Sequence, residues 1–171
     1  MFPTPRIWTQ EESEPFETQF VLGQVKAPKK RGRPDADTFD LKTEVRFDAG
    51  PTIRIRLTGE SWLTSGRKIG FNAWELSESR GKQAQARRLE LCAPGDWVRI
   101  RSFKGGARGS LYRWLCIVLV HLVEENGKLM RWTPESSGEG GWYSLADVLL
   151  HEGHGREWWK NWSRGASRPK T

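Results

Sequence analysis

Residues 52–58 read Thr-Ile-Arg-Ile-Arg-Leu-Thr, an unbroken alternation of apolar and polar side chains. A period of two places Ile53, Ile55 and Leu57 on one face, and it suits a strand with one buried side. Leu41 to Phe47 alternates in the same way, and Asp48-Ala-Gly-Pro51 between the two runs has the composition of a turn. The pair therefore predicts a β-hairpin. A further alternating run spans Asp96 to Phe103, and Leu111 to Val123 is apolar enough to be a central strand. A shorter strand is expected from Arg67 to Phe71.

Two segments break this rhythm. Ser79 to Leu91 has helical spacing, with Ala84, Leu89 and Leu91 facing inward and Arg80, Lys82, Arg87, Arg88 and Glu90 on the wet sides. Pro94-Gly95 ends it. Ser144 is placed to cap a second helix, Leu145 to His151, whose Leu145, Val148 and Leu149 form a packing stripe. Gly153 or Gly155 stops that helix. Residues 124–143 are polar and Gly-rich and read as a surface insertion. Five strands with a helix after the third resemble an OB-type barrel, so the expected fold is α+β, mainly β: a five-stranded OB-fold barrel with two to three helices.

Length and charge bound the organisation. A chain of 171 residues is one domain with tails. Residues 1–38 read as a mobile acidic arm, adding one strand at Phe20 to Val25, followed by a basic linker. Residues 39–159 form the barrel, and 160–171 a basic tail. The linker, Lys26-Ala-Pro-Lys-Lys-Arg-Gly-Arg-Pro34, holds five cations in nine residues. Its Arg31-Gly-Arg-Pro34 resembles an AT-hook, in which an extended Arg-Gly-Arg follows the narrow minor groove. A solvated basic linker is one alternative, and a general phosphate-binding role, which needs only the charge, is another. The net charge of +7 favours polyanions. Lys29, Lys30, Arg31 and Arg33 from the linker, with Arg99, Arg101, Lys104 and Arg108, are the candidate nucleic-acid-binding residues.

Ten tryptophans exceed what a core of this size consumes, which leaves some for stacking surfaces. Trp158 and Trp159 read as a cap on the barrel or as such a surface. Cys92 and Cys116 lack metal or redox spacing and read as buried thiols. His121 lies in an apolar strand and reads as a satisfied core histidine. The amino terminus has no signal-peptide pattern and no apolar run reaches membrane length, so the expectation is a soluble cytoplasmic protein with no membrane partner.

The chemistry concentrates in Arg67-Lys-Ile-Gly-Phe-Asn-Ala-Trp-Glu75, where a strand runs into a tight turn. A guanidinium can bind a phosphate while a carboxylate positions or deprotonates a water. This stretch resembles the strand R-L-x-G-I-D-A-P-E of the staphylococcal nuclease-like (thermonuclease-like) family, with Arg67, Gly70, Ala73 and Glu75 on matching positions. Leu91-Cys-Ala-Pro-Gly-Asp-Trp-Val98 is similar to the family's helix-to-strand passage, and Leu145 to Gly153 to its closing helix. The resemblance covers about residues 39–159. It implies a nuclease-type OB fold with a divalent cation, calcium or another, bound by carboxylates. It also implies Glu75 acting on the attacking water, and Arg67 and Arg113 stabilising the phosphorane. The metal positions differ. Asn72 stands for an aspartate and Trp74 for a proline. The family's D-G-D-T hairpin turn is matched to Asp48-Ala-Gly-Pro-Thr52, leaving Asp48, Asn72 and Glu75 as a weakened ligand set. The leading expectation is a nucleic-acid-binding protein, for DNA or RNA, with a degenerate catalytic site. An active metal-dependent endonuclease or phosphodiesterase is the alternative, and a module binding a protein partner through its Trp-rich face is a third reading.

Overall fold

In the computed structural model of the protein, the described residues are 4–15, 18–28, 35–44, 51–60, 69–103 and 114–159. Their elements run β1 (Ile7–Trp8), α1 (Gln10–Ser13), β2 (Val21–Val25), β3 (Thr38–Thr43), β4 (Thr52–Leu57) and β5 (Ile69–Ala73). Then come α2 (Ser79–Leu91), β6 (Trp97–Ser102), β7 (Trp114–Glu125), β8 (Lys128–Arg131), β9 (Gly141–Ser144), α3 (Leu145–His151) and β10 (Gly155–Trp159). No helix among the described residues is long and apolar enough to cross a membrane.

Five strands close a barrel in the order β4-β3-β2-β6-β7 and back to β4. The predicted hairpin is present, with Leu41 opposite Ile53 and Phe39 opposite Ile55. Every barrel contact is antiparallel except the closing one, where Ile55, Arg56 and Leu57 run parallel to Trp114, Leu115 and Cys116. This is the mainly β, OB-like architecture that the strand pattern implies. The barrel begins before residue 39, however, because β2 is one of its five strands and pairs with both β3 and β6.

The apolar face of each strand meets the two longer helices in one core. Leu41, Ile55, Leu57, Val98, Ile100, Val118 and Val120 pack there with Ala84 and Leu91 of α2 and with Leu145, Val148 and Leu149 of α3. Both α2 and α3 occupy the predicted spans. The Ser144 hydroxyl caps α3 through the Asp147 amide, and Gly153 follows the helix at φ +82°. Cys92 and Cys116 are buried, and burial pushes each thiol up to about 12, which keeps both protonated and unreactive.

Strand β7 is buried on both sides, which accounts for its continuous apolar sequence. Cys116, Val118, Val120 and Leu122 point into the main core, whereas Ile117 and Leu119 pack outward against Trp8 and Phe20. The amino-terminal segment therefore lies along the barrel wall instead of hanging free as an arm. Thr9 and Glu12 form a capping box on α1, and Arg6 donates to the Glu12 carboxylate. The Thr9 amide and the Arg6 guanidinium together hold that carboxyl down to about 2.

Three details of the sequence pattern are corrected. Leu89 is partly exposed, while Arg87 and Arg88, expected in solvent, are buried. The reason for Arg87 is a set of partners that helical spacing cannot reveal. Its guanidinium grips Glu152 at 2.7 Å through two nitrogens, and also reaches Glu90 and the Leu129 carbonyl. Residues 124–143 are not a plain insertion either. Asn126 (φ 52°) and Gly127 (φ 75°) turn the chain between paired Glu125 and Lys128, so β8 folds back on β7 and β9 follows on the same strand. Left-handed conformations at both central positions make Asn-Gly the favoured sequence for such a turn.

Trp8 is 6% exposed and meets Phe20 edge-on, with ring centroids 5.6 Å apart. Trp8→Ala should cost about 3–5 kcal/mol of stability by chemical denaturation, the range for a large aromatic lost from a core. A cost below about 0.5 kcal/mol would mean that the segment is not packed in solution.

Candidate functional site

Strand β5 lies outside the five barrel strands, paired with β10, and three polar side chains organise the turn from β5 into α2. Asp37 is 4% exposed and joins three strands. Its carboxylate accepts from the Ala73 amide at 3.0 Å and from the Thr38 hydroxyl at 2.9 Å, and its carbonyl accepts from the Leu57 amide at 2.7 Å. Asp35 accepts from the Leu76 amide at 3.1 Å. Asn72, at the end of β5, accepts from the Arg56 guanidinium at 3.0 Å. Beyond it the Glu75 carbonyl accepts from the Glu78 amide, and Gly81 crosses directly above. A Cβ on Gly81 would lie 1.8 Å from the Glu75 carbonyl oxygen, so only glycine permits this approach of α2.

Trp74 has a structural task of its own. Its indole N–H donates to the Gly153 carbonyl at 2.9 Å, and the Arg80 guanidinium covers its ring at 3.7 Å. The turn is therefore pinned to the end of α3 by side-chain contacts, where a proline would stiffen it through the backbone.

The electrostatics of the turn are unbalanced. The Asp35 carboxyl is raised above its ordinary value, first by burial and then by the charges of Glu75 and Asp37, against the lowering effect of the Leu76 N–H. Like charges gathered in a partly desolvated place cost free energy unless a proton or a cation joins them. Among the described residues no three Asp, Glu, His or Cys side chains converge on one point. A cation here would therefore depend on Asp35 and Glu75, helped by amide and water oxygens. That donor set fits a magnesium-like ion, which keeps several waters and uses one or two carboxylates.

The expected site residues separate into three groups. Asn72 and Glu75 flank the turn as anticipated. Arg67, Arg113 and Asp48 lie outside the described residues, as do Lys29, Lys30, Arg31, Arg33, Lys104 and Arg108. Arg99 is described but engaged elsewhere. It is 6% exposed, donates to Ser13 at 2.6 Å and Gln10 at 2.9 Å, and lies 3.9 Å over the Trp142 ring. It fastens α1 to the barrel and is not presented to a phosphate. Arg101 remains half-buried near Phe103. His121 is stacked between Trp132 and Trp142 at 4.7 and 4.9 Å, and its Nε2 contacts the Glu139 carbonyl, a structural arrangement.

Three residues of the turn escaped the sequence reading: Asp35, Asp37 and Arg56. A signal existed for the first two. Asp35-Ala-Asp-Thr38 spells a D-x-D-T directly before the strand residues Phe39 and Leu41, more faithfully than Asp48-Ala-Gly-Pro-Thr52 does. Arg56 had none, because its alternation looks the same as that of Arg54 until β5 is laid beside it. Scanning the chain against protein-family models and against curated proteins returns no match.

Because its folded-state pKa is raised, ionised Asp35 disfavours the folded state above that pKa. As pH falls through the folded pKa the native protein takes up the proton first, and the cost disappears by the unfolded value of about 3.9. Asp35→Asn keeps an acceptor for the Leu76 N–H while removing the charge. It should therefore raise the Tm at pH 7 in chelator, and the gain should vanish near pH 4, as scanning calorimetry of the two proteins would reveal. An equal Tm at pH 7 would mean that the carboxylates do not repel.

Proposed function

We propose that this turn is a phosphodiester-hydrolysing site on a nucleic-acid-binding OB protein, a divergent barrel of the staphylococcal-nuclease type. What supports the reading is a half-buried Asp35 whose carboxyl is raised first by burial and then by the charges of Glu75 and Asp37, on a chain of net charge +7. Bare carboxylates repel a phosphodiester, so an acidic turn on a basic protein is suited to polyanions through a bound cation. Such a cation supplies Lewis-acid polarisation of the phosphate and of a water.

The protein's own groups have separable roles in this scheme. Asp35 and Glu75 would hold the cation, and Glu75, the more exposed, would accept the proton of the attacking water. Asp37 fixes the Ala73 amide, and so the position of Asn72, without itself reaching the substrate. Arg56, at the end of β4, brings a guanidinium to the same turn through Asn72. Charge from Arg67, Arg113 and the basic linker would add affinity for the phosphate backbone.

Binding without cleavage is the second reading, and Asn72 favours it. An amide occupied by Arg56 brings no negative charge, which lowers the affinity for a cation.

Incubating the protein with plasmid, single-stranded DNA and RNA in magnesium, manganese or calcium separates the two. Cleavage is expected, with Glu75→Gln slower by about 10²–10⁴-fold, the usual contribution of a general base. Asp35→Asn should raise the metal concentration needed for half-maximal rate. Salt-sensitive binding without cleavage in any cation would leave the second reading. Absence of binding at about 50 mM salt would sink both, since phosphate contacts are strongest at low ionic strength.

A further inference from the structure

Arg87 and Arg88 are neighbours on α2 and both are buried, yet only one is satisfied. Arg87 has two carboxylates and a carbonyl. Arg88 is 2% exposed, and its Nε is sealed from solvent without an acceptor. Its contact is with the ring of Phe39, 5.0 Å from the guanidinium carbon. A buried guanidinium without an anion is costly, and native proteins seldom leave one so.

Arg88 opens onto a small cavity of about 10 Å³, lined also by Lys26, Pro28, Phe39, Asp40 and Arg54. That volume admits about one oxygen-sized atom. The charges around it do not cancel. Arg54 is engaged by Asp40, at 2.9 and 3.3 Å, whereas among the described residues the Lys26 ammonium has a 3.4 Å contact with the Gln24 side chain. Arg88, Lys26 and Arg54 against Asp40 leave two positive charges at the cavity. A water would fill the space and leave that excess in place.

We propose that Arg88 and Lys26 form an anion site on the barrel wall that takes one non-bridging oxygen of a phosphate group. The guanidinium supplies directed donors in a desolvated place, where charge-assisted hydrogen bonds to phosphate are strong. Lys26, half-buried at the rim, meets the remaining charge. The source is a free phosphate or a backbone phosphodiester. The site stands whether or not the Asp35–Glu75 turn hydrolyses nucleic acid, because it uses none of the same residues.

Thermal unfolding in sodium phosphate and in sodium chloride of matched ionic strength, both with chelator, tests the site. Wild type should gain about 3–6 °C more in phosphate at roughly tenfold over its Kd. Arg88→Met should abolish the phosphate-specific gain, and Lys26→Met, which alters only the rim and so keeps the test alive if Arg88→Met fails to fold, should weaken phosphate binding severalfold. A short single-stranded oligonucleotide that displaces phosphate identifies a phosphodiester as the ligand, and failure to displace it identifies free phosphate. A phosphodiester ligand should also make the log–log salt slope shallower by about 0.9 in Arg88→Met. If phosphate stabilises wild type no more than chloride does, or if both variants respond as wild type, Arg88 is merely hydrated and the proposal falls.

Discussion

The three-residue parallel contact between β4 and β7 is the constraint on which the rest of this protein depends. Without it, β4 and β7 would be edge strands with unpaired amides and carbonyls, open to pairing with other chains. With it, the sheet becomes a barrel whose interior can be filled by the inward face of every strand. Closure brings the end of β4 to the beginning of β7, and fixes where Arg56 and Leu57 stop. It also puts β7 at the centre of the sheet, bonded along its length to β4, β6, β8 and β9. A strand so placed must be covered on both sides. The second covering comes from the amino-terminal segment, through Trp8 and Phe20.

Closure also determines the character of the barrel's end. Asp37 sits where β3 begins, and the Leu57 amide and the Ala73 amide both converge on it. One buried aspartate thereby satisfies backbone donors that the curvature of β4 and the departure of β5 would otherwise strand. The same convergence brings Asp35 and Glu75 together, at the cost of mutual repulsion. Residues that contribute only to stability have no reason to be arranged in this way, since pairing one carboxylate with a cation would be more favourable.

Helix α2 shows the opposite treatment of charge on two consecutive residues. Arg87 is enclosed by Glu152, Glu90 and the Leu129 carbonyl, and it ties α2 to β8 and to the end of α3. Arg88 lies over the Phe39 ring, and its Nε has no acceptor. Burial alone does not differ between them. What differs is the set of acceptors that the fold brings to each guanidinium.

Much of the fold was legible in the chain because local periodicity reports local burial. The alternation at 52–58 and 96–103, the span of α2 and the Ser144 cap all depend on neighbours a few residues away, and each element stands where the pattern puts it. The Asn126-Gly127 turn and the Asp35-Ala-Asp-Thr38 spelling were equally visible, though a Gly-rich surrounding hid the first and the adjacent basic run hid the second. What the sequence could not determine were meetings between distant segments. Trp8 covers β7, Glu152 captures Arg87, Asp37 binds the Ala73 amide, and Arg56, not Arg54, faces Asn72. Each depends on the order in which strands pair and on the closure of the barrel. Those are properties of the whole chain, because a hydrogen bond between segments tens of residues apart leaves no periodicity in either one.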